Sequence, residues 1–73
     1  MSSPNNSERA RWASEALGRF RDITGMRGED TQTVMSDLLC NLMHLAAEGG
    51  ADFETALRNA RANYDAEKTG NEW

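Results

Sequence analysis

The apolar residues of this chain recur every three or four positions in three segments separated by glycine or capping residues. Such spacing places apolar side chains on one side of an α-helix. It predicts three helices: from about Ser7 to Thr24, from just after Asp30 or Thr31 to Glu48, and from Phe53 to about Lys68. No alternating pattern indicates a strand, so we expect an all-α fold, a small three-helix bundle with short connections.

Residues that begin and end helices mark the limits of these segments. Asn6 or Ser7 is a candidate N-cap for the first helix, and Asp52 is the candidate for the third. Gly49 or Gly50 is expected to end the second helix in a left-handed conformation. Residues 1–6 are then a flexible arm, residues 7–68 a single helical domain, and residues 69–73 a frayed tail that includes Trp73.

The second helix is the most apolar part of the chain, and its apolar residues cover about half of the helix circumference. One neighbouring helix covers less than that. We therefore predict that this helix is central and that a second copy of the chain covers its remaining side, giving a homodimer. The residues assigned to the core or dimer interface are Phe20, Val34, Met35, Leu38, Leu39, Leu42, Met43, Leu45, Phe53, Leu57 and Tyr64.

Charge and composition narrow the classes of function. The 73 residues carry a net charge of −4, with +2 over residues 1–28 and −6 over residues 29–73. A negative chain repels phosphate backbones, so nucleic acid is an unfavourable partner and a basic protein surface a favourable one. One cysteine, no secretory signal and no long apolar run predict a cytoplasmic protein that does not bind membranes.

Polar residues follow the opposite side of the second helix at helical spacing: Asp37, Asn41, His44 and Glu48. A carboxylate can orient an imidazole for proton transfer or metal binding, but a catalytic or metal site needs further ligands from other helices, and none is evident. We call these four residues the acidic stripe and interpret them as a solvated helix surface that is available to a partner. We assign no catalytic residue, metal or cofactor to it. Cys40 is interpreted as a small apolar residue. On the first helix, Trp12 with Arg19 has the composition of an interface anchor.

The segment from Asp37 to Lys68, about 30 of the 73 residues, resembles the second half of the MazG-like all-α nucleotide pyrophosphohydrolases. The resemblance rests on Asp37, Gly50, Asp52, Glu54, Ala56, Leu57, Ala60 and Tyr64. It implies a helical fold and a magnesium site made of several carboxylates. Of the carboxylates expected there, this sequence keeps Asp37, whereas Thr33 and Arg61 replace a glutamate and an asparagine. The departures predict that the chain is not an enzyme.

The same segment also resembles short proteins of phages and mobile elements. That resemblance implies a non-enzymatic inhibitor or regulator that binds a larger host protein complex, as anti-CRISPR proteins do. This is our leading hypothesis, with the acidic stripe and the Trp12 and Arg19 surface as the binding residues. The alternative is a divergent MazG-like protein that binds or hydrolyses nucleotides with magnesium. A third hypothesis is a transcriptional regulator whose arginine-rich first helix touches DNA.

Overall fold

The computed structural model of the chain describes residues 5–68, whose regular structure consists of three helices. They are α1 (Asn6–Thr24), α2 (Thr31–Gly49) and α3 (Phe53–Lys68). The all-α, three-helix fold is therefore confirmed, and the predicted helix limits agree to within one residue. Residues 1–4 and 69–73 lie outside the described residues, so the predicted arm and tail, with Trp73, stay predictions. No helix within residues 5–68 combines the length and hydropathy that a bilayer crossing needs.

The N-cap of α1 is Asn5, so the prediction of Asn6 or Ser7 was wrong by one or two positions. The Asn5 side chain accepts the backbone N–H of Glu8 at 2.8 Å, and the Glu8 carboxylate accepts the backbone N–H of Asn5 at 3.4 Å. This reciprocal pair requires the cap to stand three residues before the glutamate. That spacing selects Asn5 from three consecutive residues that can all cap a helix.

The other predicted helix ends are confirmed. Asp30 caps α2 by accepting the backbone N–H of Thr33 at 2.8 Å. Asp52 accepts the backbone N–H of Thr55 at 3.1 Å and its hydroxyl at 2.8 Å. Gly50 ends α2 with a φ of 77°, a left-handed conformation that only glycine adopts without a steric penalty.

These caps predict a loss of stability in acid. Hydrogen bonds from the Thr33 side chain and backbone hold the pKa of Asp30 below its ordinary value of 3.8. Bonds from the Thr55 backbone and side chain lower the pKa of Asp52 in the same direction. A carboxyl group whose pKa is lower in the folded state stabilises the fold above the unfolded pKa, and that contribution disappears as the pH falls through the folded pKa. We expect the melting temperature to fall below about pH 4.

Circular dichroism melts at pH 5 and pH 2.5 test this prediction. The control is the double variant Asp30→Asn with Asp52→Asn, because asparagine caps a helix about as well as aspartate but does not titrate. Its melting temperature should change less between the two pH values than that of the unmodified chain. Equal changes would show that the caps do not contribute to the acid sensitivity.

Arg21 holds the turn between α1 and α2. Its Nη1 donates to the carbonyl oxygens of Met26, at 3.3 Å, and of Glu29, and its Nη2 donates to the Thr31 hydroxyl at 3.4 Å. The turn itself starts at Gly25, which has a φ of 74° and donates its N–H to the Arg21 carbonyl. One guanidinium therefore fixes where the loop residues lie relative to both helices.

The beginning of α1 lies against the end of α3. The Asn6 side chain donates to the carbonyl oxygen of Glu67 at 3.1 Å, and Arg9 forms an ion pair with the Glu67 carboxylate at 3.5 Å. Since α2 contacts both of the other helices, the three helices form a closed triangle. The contact between α1 and α3 is polar, and it lies at their ends.

The chain buries little of its apolar surface. Among residues 5–68, only Val34 and Ala46 are buried, and only Val34 is fully enclosed. Of the other residues assigned to the core or dimer interface, three are half-buried: Phe20, Leu38 and Phe53. The remainder are exposed: Met35, Leu39, Leu42, Met43, Leu45, Leu57 and Tyr64. The broad apolar side of α2 predicted from the sequence is thus left largely uncovered by the chain's own helices.

Candidate interaction surfaces

The acidic stripe of α2 divides between a cleft and an open helix surface. All four of its residues are exposed: Asp37, Asn41, His44 and Glu48. Asp37 and Asn41 line a cleft of about 570 Å³ between the turn after α1 and the first half of α2. Neither His44 nor Glu48 is among the residues that line this cleft. The structure therefore brings two of the four predicted residues into a concave site.

The cleft combines acidic and apolar groups. Glu29 from the turn and Asp37 from α2 line it together with Phe20 and Met26, and Cys40 lies beside Asp37. Such a lining suits a lysine or arginine side chain, whose hydrocarbon stem packs on apolar atoms while its charged end meets carboxylates. Along residues 5–68, no group of three or more histidine, cysteine, aspartate or glutamate residues is arranged to hold a metal ion.

Trp12 and Arg19 lie on the side of α1 that faces away from α2. With Ala16 and Ile23 they follow helical spacing, and all four are exposed, Trp12 to 49% and Ile23 to 65%. We call these four residues the α1 outer surface. Arg19 forms no ion pair with the described residues, and it lies two turns after the half-exposed Trp12 on the same side of the helix. Tryptophan and arginine are the residue types most enriched at the energetic centres of protein interfaces.

A second concave surface lies between α1 and α2. This groove has a volume of about 560 Å³ and is mainly apolar. The residues of α1 that line it are mostly small: Ala10, Ala13, Ser14, Leu17, Gly18 and Arg21. From α2 come Thr31, Met35, Leu38 and Leu39. The groove opens onto the uncovered apolar side of α2, so the two form one continuous apolar surface.

The six residues predicted to bind a partner therefore occupy two surfaces. Within residues 5–68, no hydrogen bond or ion pair joins Trp12 or Arg19 to the acidic stripe. Glu29 and Met26 were not predicted to belong to the site, because their position in the cleft depends on how the turn folds and not on helical spacing. The two glycines of the segment, Gly25 and Gly28, indicated a turn but not the direction of its side chains.

No protein-family model matches the chain, and no curated protein or solved structure is significantly similar to it.

Proposed function

We propose that this protein is a non-enzymatic interaction protein that binds a larger protein through a basic surface of that partner. The observation that carries the proposal is the cleft in which Glu29 and Asp37 lie with Phe20 and Met26. It offers two carboxylates and apolar contacts in one concavity, which matches a protruding arginine or lysine. The charge of −6 over residues 29–73 extends this preference across the same part of the chain.

The α1 outer surface supplies the second set of contacts in this proposal. An exposed tryptophan on the same side of the helix as an unpaired arginine can bury a large apolar area and donate several hydrogen bonds to the partner. The α1 outer surface and the cleft involve different residues, so a partner that contacts both covers α1 and α2. By resemblance to short phage and mobile-element proteins, the partner is a host protein complex that is inhibited or regulated when its basic surface is occupied. The homodimer also belongs to this proposal.

The alternative function, magnesium-dependent binding or hydrolysis of nucleotides, requires several carboxylates around one ion. Only two carboxylates, Glu29 and Asp37, line the cleft within the described chain. Release of pyrophosphate from nucleoside triphosphates that depends on magnesium and disappears in Asp37→Ala would favour the alternative over our proposal.

Reversing the charge of the cleft should abolish partner capture. In the double variant Glu29→Lys with Asp37→Lys, we expect the amount of larger protein captured from a host-cell lysate to fall roughly ten-fold or more, because like charges then face each other across the interface. The matched control is Glu54→Lys with Asp65→Lys, which makes the same change of charge at exposed positions of α3 outside the cleft. Quantitative mass spectrometry of the captured protein gives the comparison.

Two outcomes of this experiment contradict the proposal. The first is that no larger protein is captured in a stoichiometric amount by the unmodified chain. The second is that the cleft variant and the control lose capture equally, which would mean that net charge acts without a defined site. A circular dichroism spectrum of each variant confirms that the helices are retained.

A further inference from the structure

A line of exposed apolar side chains runs along α2 beside the groove between α1 and α2. We call it the α2 ridge: Met35, Leu39, Leu42 and Met43. These residues are exposed to 49%, 44%, 38% and 50%, respectively. Two of them, Met35 and Leu39, also line the groove. A helix of a stable small domain normally buries such a line of side chains, so the ridge requires a cover.

The two methionines of the α2 ridge are placed symmetrically about Leu39. Met35 precedes Leu39 by four residues and Met43 follows it by four, so the two methionines lie about 6 Å to either side along the helix and about 40° to either side around it. A two-fold interface requires a surface that is complementary to itself. When two such helices cross antiparallel at Leu39, each Met35 meets a Met43 of the other copy.

The groove provides room for a side chain of the second copy. Its α1 wall is formed mainly by small side chains, including Ala10, Ala13, Ser14 and Gly18. Met35 forms part of the opposite wall. In the antiparallel crossing, Leu42 of the second copy comes to the same level as Met35 and on the side of the groove, so it packs toward the open space.

The charge distribution permits two acidic chains to approach on this side. Neither the α2 ridge nor the groove contains an acidic residue. The one charged residue of the groove, Arg21, is bonded to the turn. Asp37 and Glu48 lie on the opposite side of α2, so they stay in solvent and apart from their counterparts. A net charge of −4 on each copy therefore does not oppose the contact at close range.

The exposed area fits a dimer interface. At the observed exposures, covering the α2 ridge on two copies removes on the order of 700 Å² of apolar side-chain surface from water. The groove adds to this area, and the total stays at the low end of the range for specific interfaces, below about 1,200 Å². Only Val34 is fully enclosed within residues 5–68, so covering the α2 ridge adds to the apolar surface that the fold removes from water. A second copy of the same chain provides this cover.

We propose that two copies pair through an antiparallel crossing of their α2 helices at Leu39, with Leu42 of each copy facing the α1–α2 groove of the other. The inference rests on the homodimer of the proposed function and specifies its geometry. It leaves the acidic cleft and the α1 outer surface of both copies free, so each dimer presents two equivalent sets of partner-binding residues.

Disulfide trapping tests this geometry. In a Cys40→Ser background, Leu39→Cys places two thiols at the two-fold axis, within reach of a disulfide. Met43→Cys places them about 12 Å apart along the antiparallel helices, which is too far for a disulfide. With mild oxidation, we expect Leu39→Cys to form a covalent dimer at least ten times faster than Met43→Cys. Light scattering of the unmodified protein should give the mass of a dimer.

Several results would overturn the inference. A folded monomer at a protein concentration of tens of micromolar would contradict the dimer. Disulfide formation at equal rates in Leu39→Cys and Met43→Cys would indicate a parallel pair of helices. A dimer that is trapped at neither position uses another surface. These results are distinguishable from failure of the proposed function, because partner capture is measured separately. If the protein is a monomer that still captures a larger protein, the proposed function stands and the dimer does not. If the dimer is trapped as expected but captures no larger protein, the dimer geometry stands and the proposed function does not.

Discussion

Val34→Asp should unfold the protein. Val34 is the one fully enclosed side chain among the described residues, so an aspartate there loses its contact with water. Burying an unpaired carboxylate costs about 3–5 kcal/mol, which is a large share of the stability of a domain this small. We expect the helical circular dichroism signal at 25 °C to fall by more than half and the cooperative melt to disappear.

The nearby variant Gln32→Asp is the matched control. It introduces the same side chain into the same turn of α2, but at an exposed position near the positive end of the helix dipole. Its melting temperature should stay within a few degrees of that of the unmodified protein. If Val34→Asp unfolds cooperatively at the same melting temperature as the control, Val34 does not anchor the fold.

Leu39→Glu should convert the dimer into monomers. In the proposed crossing, the two residues at position 39 face each other, so the variant places two carboxylates together at the centre of an apolar interface. Like charges in such a place cost several kcal/mol, and about 2.7 kcal/mol already corresponds to a 100-fold change in affinity. We expect the dimer dissociation constant, measured by analytical ultracentrifugation, to rise at least 100-fold.

Leu45→Glu provides the comparison for this variant. Leu45 lies on the same helix and is exposed to 65%, more than Leu39, but it points about 120° away from the crossing. If the dimer depended only on the hydrophobicity of the surface, Leu45→Glu would weaken it at least as much as Leu39→Glu. The proposed geometry predicts the reverse, with Leu45→Glu remaining a dimer.

The helices and most of their ends were predictable because they depend on local chemistry. The spacing of apolar residues defined all three helices, and Asp30, Asp52 and Gly50 act through residues close to them in sequence. Asn5 was missed because Asn5, Asn6 and Ser7 can all cap a helix. The choice among them depends on a reciprocal bond with Glu8.

The candidate site was less predictable, because it combines residues from a turn with residues from a helix. Helical spacing brought Asp37 and Asn41 into the predicted site, and both line the cleft. Glu29 and Met26 lie in the cleft because of the path of the turn. Arg21 fixes this path with hydrogen bonds to the carbonyl oxygens of the same two residues. A side chain that organises a loop by binding its backbone leaves no periodic signal in the sequence.

The uncovered side of α2 was foreseen from the breadth of its apolar arc, but its shape was not. The sequence does not reveal that α1 contributes alanine, serine and glycine to the groove, since those residues also serve as ordinary helix surface. Only the relative placement of α1 and α2 shows that their small side chains leave space next to Met35. In the proposed dimer, this space distinguishes a specific contact from general hydrophobic association.

The contact of Asn6 and Arg9 with Glu67 has a practical consequence for engineering. Because the polypeptide enters and leaves the folded region at nearly the same point, the whole unit can be spliced into a surface loop of another protein without forcing the two halves of that loop apart. For the same reason, a short glycine-rich connection between the two ends gives a circularly permuted form whose new termini can be placed in the turn between α2 and α3.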